Sequence, residues 1–124
     1  MSATRRSLLP ASALLALAVS RRAGAHALVT ASEPPVGAVL ADRPARLLLH
    51  FNSRIDRARS RMVLYAPDNG QTPLPLDSGG DPTVLEARTD IVPWTPGTWR
   101  LRWQVLALDG HITRGDVPFT LQPR

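Results

Sequence analysis

The clearest pattern in the chain lies between Thr98 and Ala107, where Trp99, Leu101, Trp103 and Val105 alternate with Arg100, Arg102 and Gln104. A period of two is that of a strand with one face buried, so the spacing predicts tryptophans in a core and arginines in solvent. Leu47, Leu49 and Phe51 form a second such face, with Arg46, Leu48 and His50 on its reverse. Shorter apolar runs fall at 27–31, 61–66, 83–87 and 117–121, and Tyr65 and Phe119 are further core candidates. Between the runs stand Pro, Gly, Asn and Asp. Of the 12 prolines and 8 glycines, all but Pro10 and Gly24 lie beyond residue 25. Proline costs a helix interior about 3 kcal/mol, so this spread leaves little room for helix. Six or seven short strands with turn residues between them read as an all-β sandwich or small barrel. Ala66-Pro67-Asp68-Asn69-Gly70 reads as a turn with Asn-Gly at its tip, and Leu76 to Pro82 as a surface loop.

The first 25 residues are of another kind. Arg5 and Arg6 precede an apolar run from Leu8 to Val19, after which Ala23-Gly24-Ala25 stands before His26. Charged start, apolar middle and small-x-small end are the parts of a secretory signal peptide, and the reading is cleavage after Ala25. The apolar run is about a dozen residues, short of the roughly 20 that span a bilayer, so no stable membrane insertion is expected. Thr4-Arg5-Arg6-Ser7-Leu8-Leu9 partly matches a twin-arginine signal, which leaves two export routes open.

This division changes the meaning of the charge. The chain of 124 residues carries 15 basic side chains, all arginine, against 10 acidic ones, a formal charge of +5. At face value that excess invites nucleic acid or a membrane surface. Four of the arginines, Arg5, Arg6, Arg21 and Arg22, lie within the first 25 residues, which hold no acidic residue. The remaining 99 residues therefore carry only +1, and no nucleic-acid partner is expected. Their length suffices for one small sandwich core, residues 26–124.

The chain has no cysteine, which excludes thiolate catalysis and thiolate metal sites, and leaves three histidines, His26, His50 and His111. Cleavage after Ala25 would make His26 the first residue, with an α-amine and an imidazole on one residue. His111 sits in Leu108-Asp109-Gly110-His111-Ile112-Thr113, just past the strongest strand. In extended backbone Asp109 and His111 project to the same side; the competing reading is an Asp-Gly turn carrying a surface histidine. A Ser-His-Asp hydrolase would need an activated serine, and no Gly-x-Ser-x-Gly elbow is present. His50, at a strand position, reads as a partly buried, hydrogen-bonded residue. Met62, the one methionine past the first segment, reads as core filling.

Together these segments resemble the periplasmic copper-binding proteins of the CopC family: the start His26-Ala27-Leu28-Val29-Thr30-Ala31-Ser32-Glu33-Pro34-Pro35-Val36-Gly37, then Leu49-His50-Phe51, then Gly97 to Trp103, and last Asp109-Gly110-His111-Ile112-Thr113-Arg114-Gly115. The resemblance implies an immunoglobulin-like antiparallel Greek-key β-sandwich. It also implies one Cu(II) ion held by the amine and imidazole of His26 with Asp109 and His111, in a monomeric periplasmic protein. It implies as partner a CopD-like copper transporter of the inner membrane. Where methionine-rich relatives carry a Cu(I) site this chain has only Met62, so none is expected. Where some relatives place a glutamate near the copper this chain has Ser53. Imidazole, amine and carboxylate suit Cu(II), which favours tetragonal N,O geometry. The expected function is copper sequestration, resistance or delivery without enzymatic activity. The rivals are a copper-dependent oxidative enzyme with an N-terminal histidine and a metal-free secreted interaction module.

Overall fold

The computed structural model describes residues 27–77 and 79–124; the expected signal peptide and His26 lie outside the described residues. Eight strands and no helix are found among the described residues: β1 (Val29–Glu33), β2 (Ala38–Leu40), β3 (Leu47–Phe51), β4 (Ile55–Tyr65), β5 (Gln71–Pro73), β6 (Val84–Ala87), β7 (Gly97–Ala107) and β8 (Ile112–Leu121). They form a three-stranded sheet in the order β1-β3-β6 and a five-stranded sheet in the order β2-β8-β7-β4-β5. The expected all-β sandwich is the observed architecture. One pairing departs from the antiparallel rule, since β2 runs parallel to β8. After β1 the chain crosses from one sheet to the other through Pro34 to Gly37, with Gly37 at φ +77°. It does not reverse, so β2 keeps the direction of β1, which is also that of β8.

Alternation builds the core. Trp99, Leu101, Trp103 and Val105 of β7 are buried, and Val117, Phe119 and Leu121 of β8 face the same way. Met62 and Leu64 of β4 add to the same sheet's inner face, and Leu47, Leu49 and Phe51 close the core from the small sheet. Phe51 meets Trp103 edge-on, centroids 5.5 Å apart at 78°, and Trp94 packs on Trp99 at 4.7 Å. Such pairs add to simple area burial. Trp103 takes the space opposite Gly115 in register, where a Cβ would overlap its indole.

Three side chains differ from expectation. Tyr65 lies on the outer face of the large sheet beneath the guanidinium of Arg100, 4.3 Å from its ring centre. Its neighbours Leu64 and Met62 occupy the inward positions. His50 is exposed instead of partly buried, because β3 presents it on the outer face of the small sheet. Leu48 shares that outer face, yet only 4% of it is accessible. No helix among the described residues is long and apolar enough to cross a membrane.

The strand directions define the two ends of the sandwich. Ile55 at the start of β4 pairs with Ala107 at the end of β7, so the β3–β4 loop and the β7–β8 hairpin share one end. The described chain begins there too. Leu28 donates its amide to Asn52 Oδ1 at 2.8 Å and accepts from Asn52 N at 2.9 Å, and Ala27 is wholly buried in the core.

Candidate metal site

The β7–β8 hairpin is closed by a three-residue loop. Ala107 N donates to His111 O at 2.9 Å and Gly110 N to Ala107 O at 3.0 Å, with Gly110 at φ +88°. This is the pattern of a tight turn completed by a left-handed residue, which glycine adopts without steric penalty. The β4–β5 hairpin repeats it: Ala66 N donates to Gly70 O and Asn69 N to Ala66 O, both at 2.9 Å, with Asn69 at φ +68°. Even the side-chain lock recurs. Gly70 N donates to Asp68 Oδ1 at 2.9 Å, and His111 N donates to Asp109 Oδ1 at 3.0 Å.

The two turns differ at their fifth residue. Gly70 has no side chain to add. At the other turn His111 brings its imidazole beside the locked carboxylate, with Nδ1 2.9 Å from Asp109 Oδ2. Asp109 and His111 are therefore brought together by a turn and not by extended backbone. The side chain of His111 is 62% exposed and that of Asp109 25%. One oxygen of the carboxylate is fixed by the hairpin backbone while the other faces the ring, which sets the pair before any ligand arrives.

Among the described residues no group of three or more His, Asp or Glu side chains could hold a metal ion. The pair supplies two donors, and His26 lies outside the described residues. What the structure gives is the position of its neighbour: Ala27 is buried next to Leu28, which is bonded to Asn52 of the β3–β4 loop at the same end of the sandwich as the hairpin. His50 stands apart on the outer face of the small sheet. Ser53 is half-buried in the β3–β4 loop, and Met62 is 1% accessible, enclosed among core side chains. The repeated turn is what sequence reading missed. Its signal is legible in hindsight as Ala-x-Asp followed by Asn or Gly, twice.

A β-sandwich with a carboxylate–imidazole pair on one end hairpin is a class that relatives make specific. The CopC domain model matches residues 29–122. The chain is 30% identical over 111 residues to Copper resistance protein C of Pseudomonas syringae pv. tomato, covering 84% of this chain and 86% of that protein. It is 27% identical over 126 residues to Protein YobA of Escherichia coli strain K12, covering 98% and 100%. Among solved structures, CopC from Methylosinus trichosporium OB3b superposes with a TM-score of 0.68 at 22% identity, over 80% of this chain and 96% of that one. PcoC of Escherichia coli, described as a methionine-rich copper resistance protein, superposes with a TM-score of 0.64 at 23% identity, over 79% and 100%. The chain belongs to the CopC family.

Proposed function

We propose that this is a periplasmic copper-binding protein that sequesters the ion or passes it on, and that its cargo is one Cu(II). The donors are the amine and imidazole of His26, exposed by cleavage after Ala25, with Asp109 and His111. The observation that carries the reading is the Asp109–His111 pair, 2.9 Å apart on the hairpin at the end where the described chain begins. The pair offers one imidazole and one carboxylate donor close enough together to serve a single ion once their mutual contact is exchanged for bonds to it, and both donor types suit Cu(II). Residue 26 is joined directly to Ala27, whose neighbour Leu28 is bonded to Asn52 at the hairpin's end of the sandwich. Membership of a family that includes Copper resistance protein C supports copper as the ion.

The amine must be free and unprotonated to bind, and its ordinary pKa is near 8, so affinity falls as pH is lowered. A site on an exposed hairpin, completed by a chain terminus, can open by moving the terminus. That arrangement favours hand-over to a partner such as an inner-membrane copper transporter. The test is a Cu(II) competition titration of protein beginning at His26 against protein with one extra residue before it. The extended form is expected to bind at least roughly 100-fold more weakly, having lost a direct donor where even outer-shell changes cost 10–100-fold. Equal affinity would reject the amine as a ligand.

A further inference from the structure

The near-neutral charge of the sandwich conceals a separation between its two faces. Outward positions of β4, β7 and β8 gather Arg61, Arg100, Arg102 and Arg114 on the large sheet. Register sets Gln104 between Arg61 and Arg114. Its Oε1 accepts from both, from Arg61 Nη2 at 3.3 Å and Arg114 Nε at 2.9 Å. Two guanidinium groups thus converge on one neutral oxygen. Asp116, the register partner of Arg102, is a carboxylate on this face and reaches Arg100 at 3.6 Å; Arg61, Arg102 and Arg114 themselves make no salt bridge among the described residues. These three line a depression of about 360 Å³ with Tyr65 and Gln104. On the small sheet the opposite holds: Glu33, Asp77, Asp81 and Glu86 surround a depression that only Arg46 and Arg57 offset.

The basic face also has an aliphatic tip. Two residues before Arg114 along β8, about 7 Å at the rise of a strand, Ile112 is 53% exposed. Leu108 on the hairpin loop is 68% exposed, and Leu28 at the same end 53%. Aliphatic side chains at a tip with arginines behind them fit a phospholipid surface. The first enter the boundary between headgroups and acyl chains, and guanidinium groups grip phosphate through paired donors.

We propose that the outer face of the large sheet, with the β7–β8 tip, docks on an anionic phospholipid bilayer. The docking itself does not rest on the copper reading and needs no metal. If that reading holds, docking also presents the Asp109–His111 hairpin at the membrane plane.

The experiment uses metal-free protein beginning at residue 26, a span that contains every described strand, and co-sedimentation with vesicles. Neutral phosphatidylcholine vesicles are compared with vesicles of equal parts phosphatidylcholine and phosphatidylglycerol. Binding is expected only to the anionic vesicles, weakening as salt screens the charges. The R61Q/R102Q/R114Q variant should lose about 100-fold in partitioning, at roughly fivefold per charge. R43Q/R88Q/R124Q, which removes the same charge at the other end, should keep the parent's binding. L108S/I112S should weaken binding with no change in charge, and thermal melts by circular dichroism check that each variant is folded. Equal binding to both vesicle types, or equal loss in the two arginine triples, would overturn the proposal. Capture by poly-glutamate without vesicle binding would also overturn it and assign the face to an acidic protein.

Discussion

Two glycines of β8 and its hairpin have separable roles. A Cβ at Gly110 would meet nothing within 4 Å, but φ is +88°, so alanine there meets backbone strain alone. Gly110→Ala is expected to cost about 1 kcal/mol of stability and also to weaken copper binding, because the turn sets the Asp109–His111 pair. Gly115→Ala drives a methyl into the Trp103 indole and should cost about 1–3 kcal/mol, leaving copper affinity of the folded protein unchanged. Urea unfolding paired with copper titration of both variants separates the two effects. At this scale the residues were legible, and of the two readings of Asp109-Gly110-His111 the Asp-Gly turn carrying an exposed histidine is the one observed. Asp109 and His111 are visible as the two chemistry-bearing side chains around Gly110, yet extended backbone was the wrong way to bring them together. The turn does it, by giving the Asp109 carboxylate the amide of His111, as Asp68 takes that of Gly70.

At the level of elements, strands marked by alternation or by a compact apolar run read correctly: β3, β6 and β7 fall within one residue of the expected limits at each end. Of the others, β1 is displaced by two residues from the expected 27–31, β4 and β8 were cut short, and β2 and β5 were lost. The first half of β4 carries Asp56, Arg57, Arg59 and Ser60 and an irregularity between Asp56 and Arg61, so its polar surface hides the strand. The first half of β8, Ile112 to Asp116, is likewise mostly accessible. β2 and β5 are three residues each and pair on one side only, too short for any period to show. The edge strand β6 also carries a charge pair with a measurable consequence. Glu86 accepts both donors of Arg46, at 2.9 and 2.8 Å, and that guanidinium holds its carboxyl below the usual range. A carboxyl lowered by folding contributes stability that is full above its unfolded pKa, near 4.3, and is lost as pH falls through the lower folded value. Arg46→Gln is therefore expected to reduce the difference in stability between pH 7 and pH 3, measured by urea unfolding at the two values. An unchanged difference would show that the pair is silent.

At the scale of the whole molecule the sandwich class was written in the alternation and the turn residues. The distribution of charge over its faces was not. Counting places +1 on the last 99 residues, but strand register is what puts Arg61, Arg102 and Arg114 on one face, while Glu33, Asp77 and Asp81 gather around the depression on the small sheet. Topology likewise sets the start of the described chain, bonded through Leu28 to Asn52, at the same end of the sandwich as the hairpin that carries Asp109 and His111. The copper reading depends on that shared end. It is tested most directly by electron paramagnetic resonance of Cu(II)-loaded protein beginning at His26, with His26→Ala and His111→Ala beside it. The account predicts one Cu(II) per chain, a tetragonal signal with nitrogen coupling, and loss or replacement of that signal in each variant. More than one tightly bound ion per chain, or the same signal in both variants, would contradict it.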